Sequence, residues 1–190
     1  MTPKQWLRGK RACKEGVEFA LQFKSMKEVW EKCERGDWMI WILRQINKWT
    51  QEEKVEIAFA CASHVLKIYE RQYPKDDRPR KALDAVKRWL KNPTGENSHA
   101  SLGAAHTAAH AAAAYAADAA HAAYAAADAA DAAADTAYAA AHAAYAADAA
   151  VYTAAHAAYA AYAADTAAHA AEQKWQANTI RKIVKNPFTR

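Results

Sequence analysis

Turn-forming residues and positive charges are both missing from the middle of this 190-residue chain. No glycine or proline lies between Gly103 and Pro187, and no lysine or arginine lies in residues 101–173. Without glycine or proline, any turns between helices over this stretch are poorly marked, and three or four antiparallel helices are predicted there. Without a dense stripe of lysine and arginine, the chain is not expected to bind nucleic acid.

Cysteine is scarce, and its spacing argues against both a disulfide framework and a zinc site. The chain has three cysteines, Cys13, Cys33 and Cys61, and no Cys-x-x-Cys pair. An odd number of scattered cysteines in helix-like sequence is typical of reduced, mostly buried thiols in a cytosol. We therefore expect three free thiols.

Long apolar runs are absent as well. The first residues, MTPKQWLRGKR, contain no apolar core of a signal peptide. The alanine-rich stretch carries an Asp, His or Tyr every few residues, which makes it too polar to span a bilayer. We therefore expect a soluble cytoplasmic protein that does not engage membranes, located in the host cytoplasm if a phage encodes it.

No motif for catalysis, cofactor binding or metal binding is present. The sequence has no P-loop, no Gly-x-Gly-x-x-Gly, no nucleophile elbow and no His-Glu-x-x-His. Asp128, Asp131 and Asp135 form a ridge on one predicted helix, which is poor geometry for a hard cation. His106 and His110 have i,i+4 spacing but no third ligand nearby. The chain is predicted to be non-enzymatic, with no cofactor and no metal.

Helix boundaries are clearly marked in residues 1–97. Apolar residues there recur every three or four positions, and no stretch alternates as a β-strand would. The predicted helix starts are Thr2-Pro3, Ser25 with Glu28, Thr50 with Glu53, and Asp77-Arg78-Pro79-Arg80. The predicted apolar positions are Val17, Ala20, Leu21, Met26, Val29, Trp30, Cys33, Ile57, Cys61, Val65, Ile68, Leu83, Val86 and Leu90. These residues are predicted to form a bundle of short helices with mixed sequence.

The segment around Trp38 is unusually apolar. Trp38, Met39 and Trp41 cannot all point to the same side of one helix. The segment is therefore either a fully buried central helix or a helix with one exposed aromatic edge. Full burial is the favoured interpretation.

Residues 98–186 form an alanine-rich region whose larger side chains follow a helical repeat. These side chains recur mainly three or four positions apart, and the unit His-Ala-Ala-Tyr begins at His121, His142 and His156. The spacing places His, Tyr and Asp along one side of each helix and alanine on the others. Because small side chains let helices approach closely, we predict an antiparallel helical bundle packed on the first region, with residues 187–190 as a tail. One continuous rod is the alternative, and the whole chain is all-α in either case.

Charge is distributed unevenly along the chain. Residues 1–100 carry a net charge of +7, residues 101–173 carry −7, and residues 174–190 carry +5. This pattern favours contact between the acidic middle and the basic ends. It also leaves open that a bound group supplies part of the balancing charge.

Side chains suited to ligands are concentrated on the polar stripe and at the start of one helix. Tyrosine rings offer stacking surfaces, aspartates suit ribose hydroxyls, and arginines suit phosphate, so together they would line a nucleotide pocket. The structural alternatives are local capping and ion pairing for the arginines and helix packing for the tyrosines. The candidate ligand-binding residues are Arg78, Arg80, Tyr124, Asp128, Asp131, Tyr138, His142, Tyr145, Asp148, His156 and Tyr159.

Several short runs are similar to those of a known family. The most specific are Cys33-Glu-Arg-Gly-Asp-Trp38 and Asp77-Arg-Pro-Arg80, with Ala12-Cys13-Lys-Glu-Gly16 and Ala60-Cys61-Ala62 beside them. With the alanine-rich half that follows, they resemble the immunity-protein family, whose members are all-α proteins found beside bacterial toxin genes and in phage genomes. The resemblance covers nearly the whole chain. It implies an all-α fold and neutralisation of a target.

Two functional hypotheses from different classes follow. In the first, the chain is a non-enzymatic binding protein, immunity-like or serving phage anti-defence, that captures a toxin protein or a small nucleotide signal in the groove lined by Tyr, His and Asp. In the second, alanine faces pack between chains, and the protein is a self-associating structural element that forms an oligomer or a filament.

Overall fold

All regular structure that the computed structural model describes is helical. It describes residues 1–46, 49–94, 96–97 and 166–189. Their helices are α1 (Pro3–Leu7), α2 (Lys14–Ala20), α3 (Met26–Lys32), α4 (Gly36–Ile46), α5 (Gln51–Gln72), α6 (Arg78–Lys91) and α7 (Thr166–Ile183). The prediction of an all-α fold is confirmed. The predicted alanine-rich bundle, its turns and the alternative rod concern residues 98–186. Of these, residues 98–165 lie outside the described ones.

The helix starts predicted from capping residues are confirmed. Thr2 and Thr50 each form a complete capping box, in which the threonine and the residue three positions later exchange hydrogen bonds. The hydroxyl of Ser25 accepts from the backbone N–H of Glu28 at 3.2 Å. These bonds satisfy N–H groups that have no partner within the helix. Asp77 precedes α6 as predicted, but its side chain makes no capping bond.

The buried core of the described residues is one cluster, in which α7 packs against α4 and α5, and α6 packs against α5. Both α5 and α7 bury alanine side chains in this core, and small side chains favour close packing of helices. The buried residues at these contacts include Met39, Ile40, Leu43, Val55, Ile57, Ala58, Cys61, Ala62, Ala177 and Ile180. Within the described residues, no helix combines the length and apolar character needed to cross a membrane.

Two expectations about burial are corrected by the structure. Met39 is fully buried, but Trp38 and Trp41 are only partly buried, so α4 has an aromatic edge and the favoured full burial was wrong. Leu21 has the helical spacing of a core residue, yet it is 53% exposed. It lies just beyond the end of α2, where the chain leaves the helix and the periodicity no longer decides which side faces inward.

Polar side chains of α7 bind the backbone at the end of α3 and the start of α4. The guanidinium of Arg181 donates from Nη1 to the carbonyl oxygens of Trp30 at 2.9 Å and Cys33 at 2.7 Å. The side-chain oxygen of Gln173 accepts from the backbone N–H of Asp37 at 3.3 Å. These groups lie at helix ends, where no intrahelical partner exists. Side chains of α7 therefore supply hydrogen-bond partners to backbone groups at the end of α3 and the start of α4.

Candidate functional site

Arg78 belongs to a hydrogen-bonded network where α5 meets α6. Its Nε and its backbone N–H both donate to Oδ1 of Asp76, at 2.9 Å and 3.1 Å. The other carboxylate oxygen accepts from the hydroxyl of Tyr69 at 2.7 Å. The bonds from Arg78, with the smaller contribution of Tyr69, hold the pKa of the Asp76 carboxyl well below its usual range. The network fixes the turn that leads into α6.

Replacing Asp76 with asparagine should lower the free energy of unfolding by roughly 1–2 kcal/mol at neutral pH, because an ionised acceptor is lost. The folded-state pKa of Asp76 is depressed, so its stabilising contribution is complete above the unfolded pKa of about 4 and is lost as the pH falls below that value. The difference between wild type and Asp76→Asn should therefore shrink from about pH 4 downwards. Urea unfolding over a pH series measures this.

The control for that series is Asp84→Asn, which removes an exposed carboxylate from α6, the helix that follows Asp76. A constant difference between wild type and Asp76→Asn across the acid range would contradict the assigned ion pair.

Arg80 lies two positions further along and pairs with a different carboxylate. Its Nη2 donates to Oε2 of Glu70 at 2.7 Å, and its Nε donates to the other oxygen of the same group. The Arg80 side chain is 53% exposed. An exposed pair of this kind contributes little to stability, so the guanidinium can exchange its partner at low cost. Arg78 thus forms the local ion pair considered as the structural alternative, whereas Arg80 pairs with a residue of the preceding helix. The ligand-binding role of the two arginines stays a prediction.

The other nine candidate ligand-binding residues share one stretch of the chain. They are Tyr124, Asp128, Asp131, Tyr138, His142, Tyr145, Asp148, His156 and Tyr159, and all lie outside the described residues. Their convergence into a groove therefore stays a prediction.

A buried carboxylate joins α7 to α5. Glu172 is 4% exposed, its Oε2 lies 2.6 Å from Nδ1 of His64, and its Oε1 accepts from the amide of Gln176 at 2.9 Å. The imidazole stacks flat on Trp175, with ring centroids 3.7 Å apart. Because a buried carboxylate needs hydrogen-bond donors, these contacts set the register between the two helices.

Sequence reasoning missed this cluster because His64 and Glu172 are 108 positions apart. A signal was nevertheless available. Glu172 is the only glutamate after Glu96, and Gln176 follows it one helical turn later, at the end of the alanine-rich sequence. Polar residues one turn apart on the face of a packed helix indicate a buried network.

A second candidate site is a cleft of about 620 Å³ between α1, α2, α3 and α4. All residues that line it fall within positions 6–42. The rings of Trp6, Phe19, Trp38 and Trp41 contribute to its walls. This volume and aromatic lining are typical of a small-molecule site.

The three thiols have different surroundings. Burial raises the pKa of Cys33 to about 11 and also raises that of Cys61, where the nearby charge of Glu172 adds to the effect. Cys13 is exposed, and all three cysteines are free, as predicted. Among the described residues, no three His, Cys, Asp or Glu side chains are grouped so that they could hold a metal ion.

Residues 44–183 match the family model described as "Imm-5 like putative immunity protein". The chain belongs to this family. The resemblance suspected from short runs is thus confirmed, and the family description points to an immunity-like role with a toxin as partner. Searches of curated proteins and of solved structures gave no match.

Some of these sites lie within the Imm-5 like match, and the aromatic cleft lies outside it. Helices α5, α6 and α7 lie within it, together with Arg78, Arg80 and the pair of His64 with Glu172. The aromatic cleft ends at residue 42, before the match begins. None of the residues that line the cleft falls within the match.

Proposed function

We propose that this Imm-5 like protein neutralises a toxin protein by binding it, without chemistry of its own. The observation that carries the proposal is the family match, which includes α5, α6, α7 and the alanine-rich region up to residue 183. A protein that confers immunity by binding needs a surface complementary to its target. That surface is expected within the matched residues.

The proposed surface joins the start of α6 to the stripe of Tyr, His and Asp. Residues 101–165 contain six aspartates and no lysine or arginine, so their formal charge is −6. A surface of this sign attracts a basic partner and accelerates its association. Tyrosine and arginine are also the residue types that dominate binding energy at interfaces. A basic toxin protein fits these properties better than an anionic small molecule.

A small nucleotide signal is the second candidate, as expected for phage anti-defence. One observation favours it. Arg80 already holds a carboxylate with two donors, and the same planar fork fits a phosphate group. Exchange of Glu70 for a phosphate would release the carboxylate to solvent, where it is 29% exposed already.

Native mass spectrometry of the protein purified from its source cells distinguishes these candidates. A protein adduct supports toxin capture, and a nucleotide-sized adduct supports the second candidate. An assembly of this chain alone, confirmed by light scattering over a range of concentrations, would instead support the self-associating structural role.

Once a target is identified, Tyr138→Ala, Tyr145→Ala and Arg80→Ala should each weaken its binding by about tenfold or more. Arg88→Ala is the control matched to Arg80→Ala, because Arg88 is an exposed arginine that also lies in α6. Calorimetric titration gives the affinities, and circular dichroism checks that each variant is folded. If folded forms of all three variants bind as tightly as the control, the site assignment is wrong.

A further inference from the structure

We propose that the cleft formed by residues 6–42 is a binding site for an uncharged aromatic small molecule. The lining of the cleft ends before the family match begins, and this proposal does not rest on the toxin-binding function. Its volume of about 620 Å³ lies in the range of pockets that enclose most of a small ligand's surface.

The walls are aromatic on two sides. Trp6 and Trp41 meet edge to face with ring centroids 5.8 Å apart, and Phe19 and Trp38 are tilted against each other at 5.5 Å. Such rings attract a further aromatic ring through stacked or edge-to-face contact. Because Trp38 and Trp41 are only partly buried, each retains ring surface that a ligand can cover.

The floor is apolar and rich in sulfur. Met26, Val29 and Cys33 line the cleft and are each buried to within a few per cent of complete exclusion from solvent. Thioether and thiol groups are polarisable and make favourable contacts with aromatic rings. An aromatic guest therefore suits this floor better than an aliphatic one.

Space beside Trp38 depends on Gly16. A Cβ atom at this position would lie 3.9 Å from the Trp38 ring and 3.1 Å from Sγ of Cys13. The glycine thus leaves one part of the Trp38 ring uncovered inside the cleft.

The charged residues of the lining favour a ligand without net charge. They are two of each sign, Arg11 and Arg35 against Glu15 and Asp37. Arg35 donates from Nε and Nη2 to the two oxygens of Asp37, at 2.9 Å and 2.6 Å, and its guanidinium stacks over Trp38 at 4.7 Å. The opposite charges of Arg35 and Asp37 therefore compensate each other beside the apolar lining. A charged ligand would lose its hydration against the apolar lining, where the charge of Arg35 is already paired with Asp37.

A pair of fluorescent probes that differ by one charged group tests the inference on the full chain. N-phenyl-1-naphthylamine is uncharged, and 8-anilinonaphthalene-1-sulfonate is the same ring system with a sulfonate. The uncharged probe should bind saturably with one site and at least about tenfold more tightly than the sulfonate. Equal affinities, or no saturable binding of the uncharged probe, would overturn the proposal.

Substitutions locate the site. Trp38→Ala should weaken binding of the uncharged probe by about tenfold, because it removes one wall. Trp175→Ala is the matched control, since Trp175 is a partly buried tryptophan that stacks on His64 outside the cleft. Equal losses in the two variants would overturn the proposal.

A measurement on the unmodified chain does not depend on whether a variant folds. Cys13 lines the cleft and is exposed, whereas the other two cysteines are buried. Iodoacetamide should therefore alkylate Cys13 selectively, and saturating uncharged probe should slow that reaction about tenfold. An unchanged rate at saturation would place the probe elsewhere and overturn the assignment of the site.

Discussion

Replacing Arg181 with methionine should lower the free energy of unfolding by about 3 kcal/mol, because two backbone carbonyls lose a charged donor. The guanidinium donates to Trp30 O and Cys33 O at the end of α3, and its other nitrogen donates to Asn178 Oδ1 at 3.0 Å. Methionine preserves the packing of the alkyl chain but donates nothing. The cost is thus assigned to the unsatisfied carbonyls.

The location of these carbonyls at a helix end and the positive charge of Arg181 add to the expected loss of stability. The last carbonyls of a helix have no intrahelical partner and carry the negative end of the helix dipole, which a cation stabilises. Arg181 also brings its Nη1 within 3.3 Å of Sδ of Met39, a fully buried residue of α4. One side chain of α7 therefore contacts both α3 and α4.

Urea unfolding followed by tryptophan fluorescence measures the loss. Lys182→Met is the control, because Lys182 is the exposed neighbour on the same helix, and it should change the unfolding free energy by less than about 0.5 kcal/mol. Similar losses for the two variants would show that the carbonyl contacts do not stabilise the fold.

Gly36→Ala should destabilise the protein by about 2–3 kcal/mol through a steric clash between α4 and α7. A Cβ atom on Gly36 would lie 2.5 Å from Cβ and 2.7 Å from Oε1 of Gln176, far inside van der Waals contact. Helix propensity alone predicts the opposite sign, since alanine is favoured over glycine in a helix by up to about 1 kcal/mol. The clash outweighs that gain because the helices must separate.

The neighbouring side chain has little freedom to move away. Gln176 is fully buried and donates to Glu172, which in turn binds His64. Displacing Gln176 would leave a buried carboxylate with one donor fewer. The tight contact at Gly36 and the buried carboxylate are therefore energetically coupled.

A double-mutant cycle with Gln176→Gly tests this coupling. In that background the alanine at position 36 meets no opposing Cβ, so its cost should fall close to zero. Gly16→Ala is a control for the glycine change itself, because its nearest contact is the Cys13 sulfur at 3.1 Å rather than another helix. Additive losses would exclude the clash as the cause.

Local features of the fold were predictable, because their causes lie within four residues. The threonine caps at Thr2 and Thr50 and the ion pair of Arg78 with Asp76 all depend on neighbours in sequence, and all are present. The partner of Arg80 was not foreseen, because Glu70 lies on the preceding helix. Of the candidate ligand-binding residues, only Arg78 and Arg80 lie among the described residues, and their partners are Asp76 and Glu70.

The sequence by itself determined the helical class, the helix starts and the family, since periodicity, capping and short motifs depend on the order of residues along the chain. Only the tertiary structure decided that Glu172 binds His64, that Gly36 faces Gln176, and that Trp38 lines a cleft instead of the core. These pairings join residues far apart in sequence, and their partners are selected by how helices pack. Hydrophobic periodicity shows that a face is buried, but it does not identify the helix that covers it.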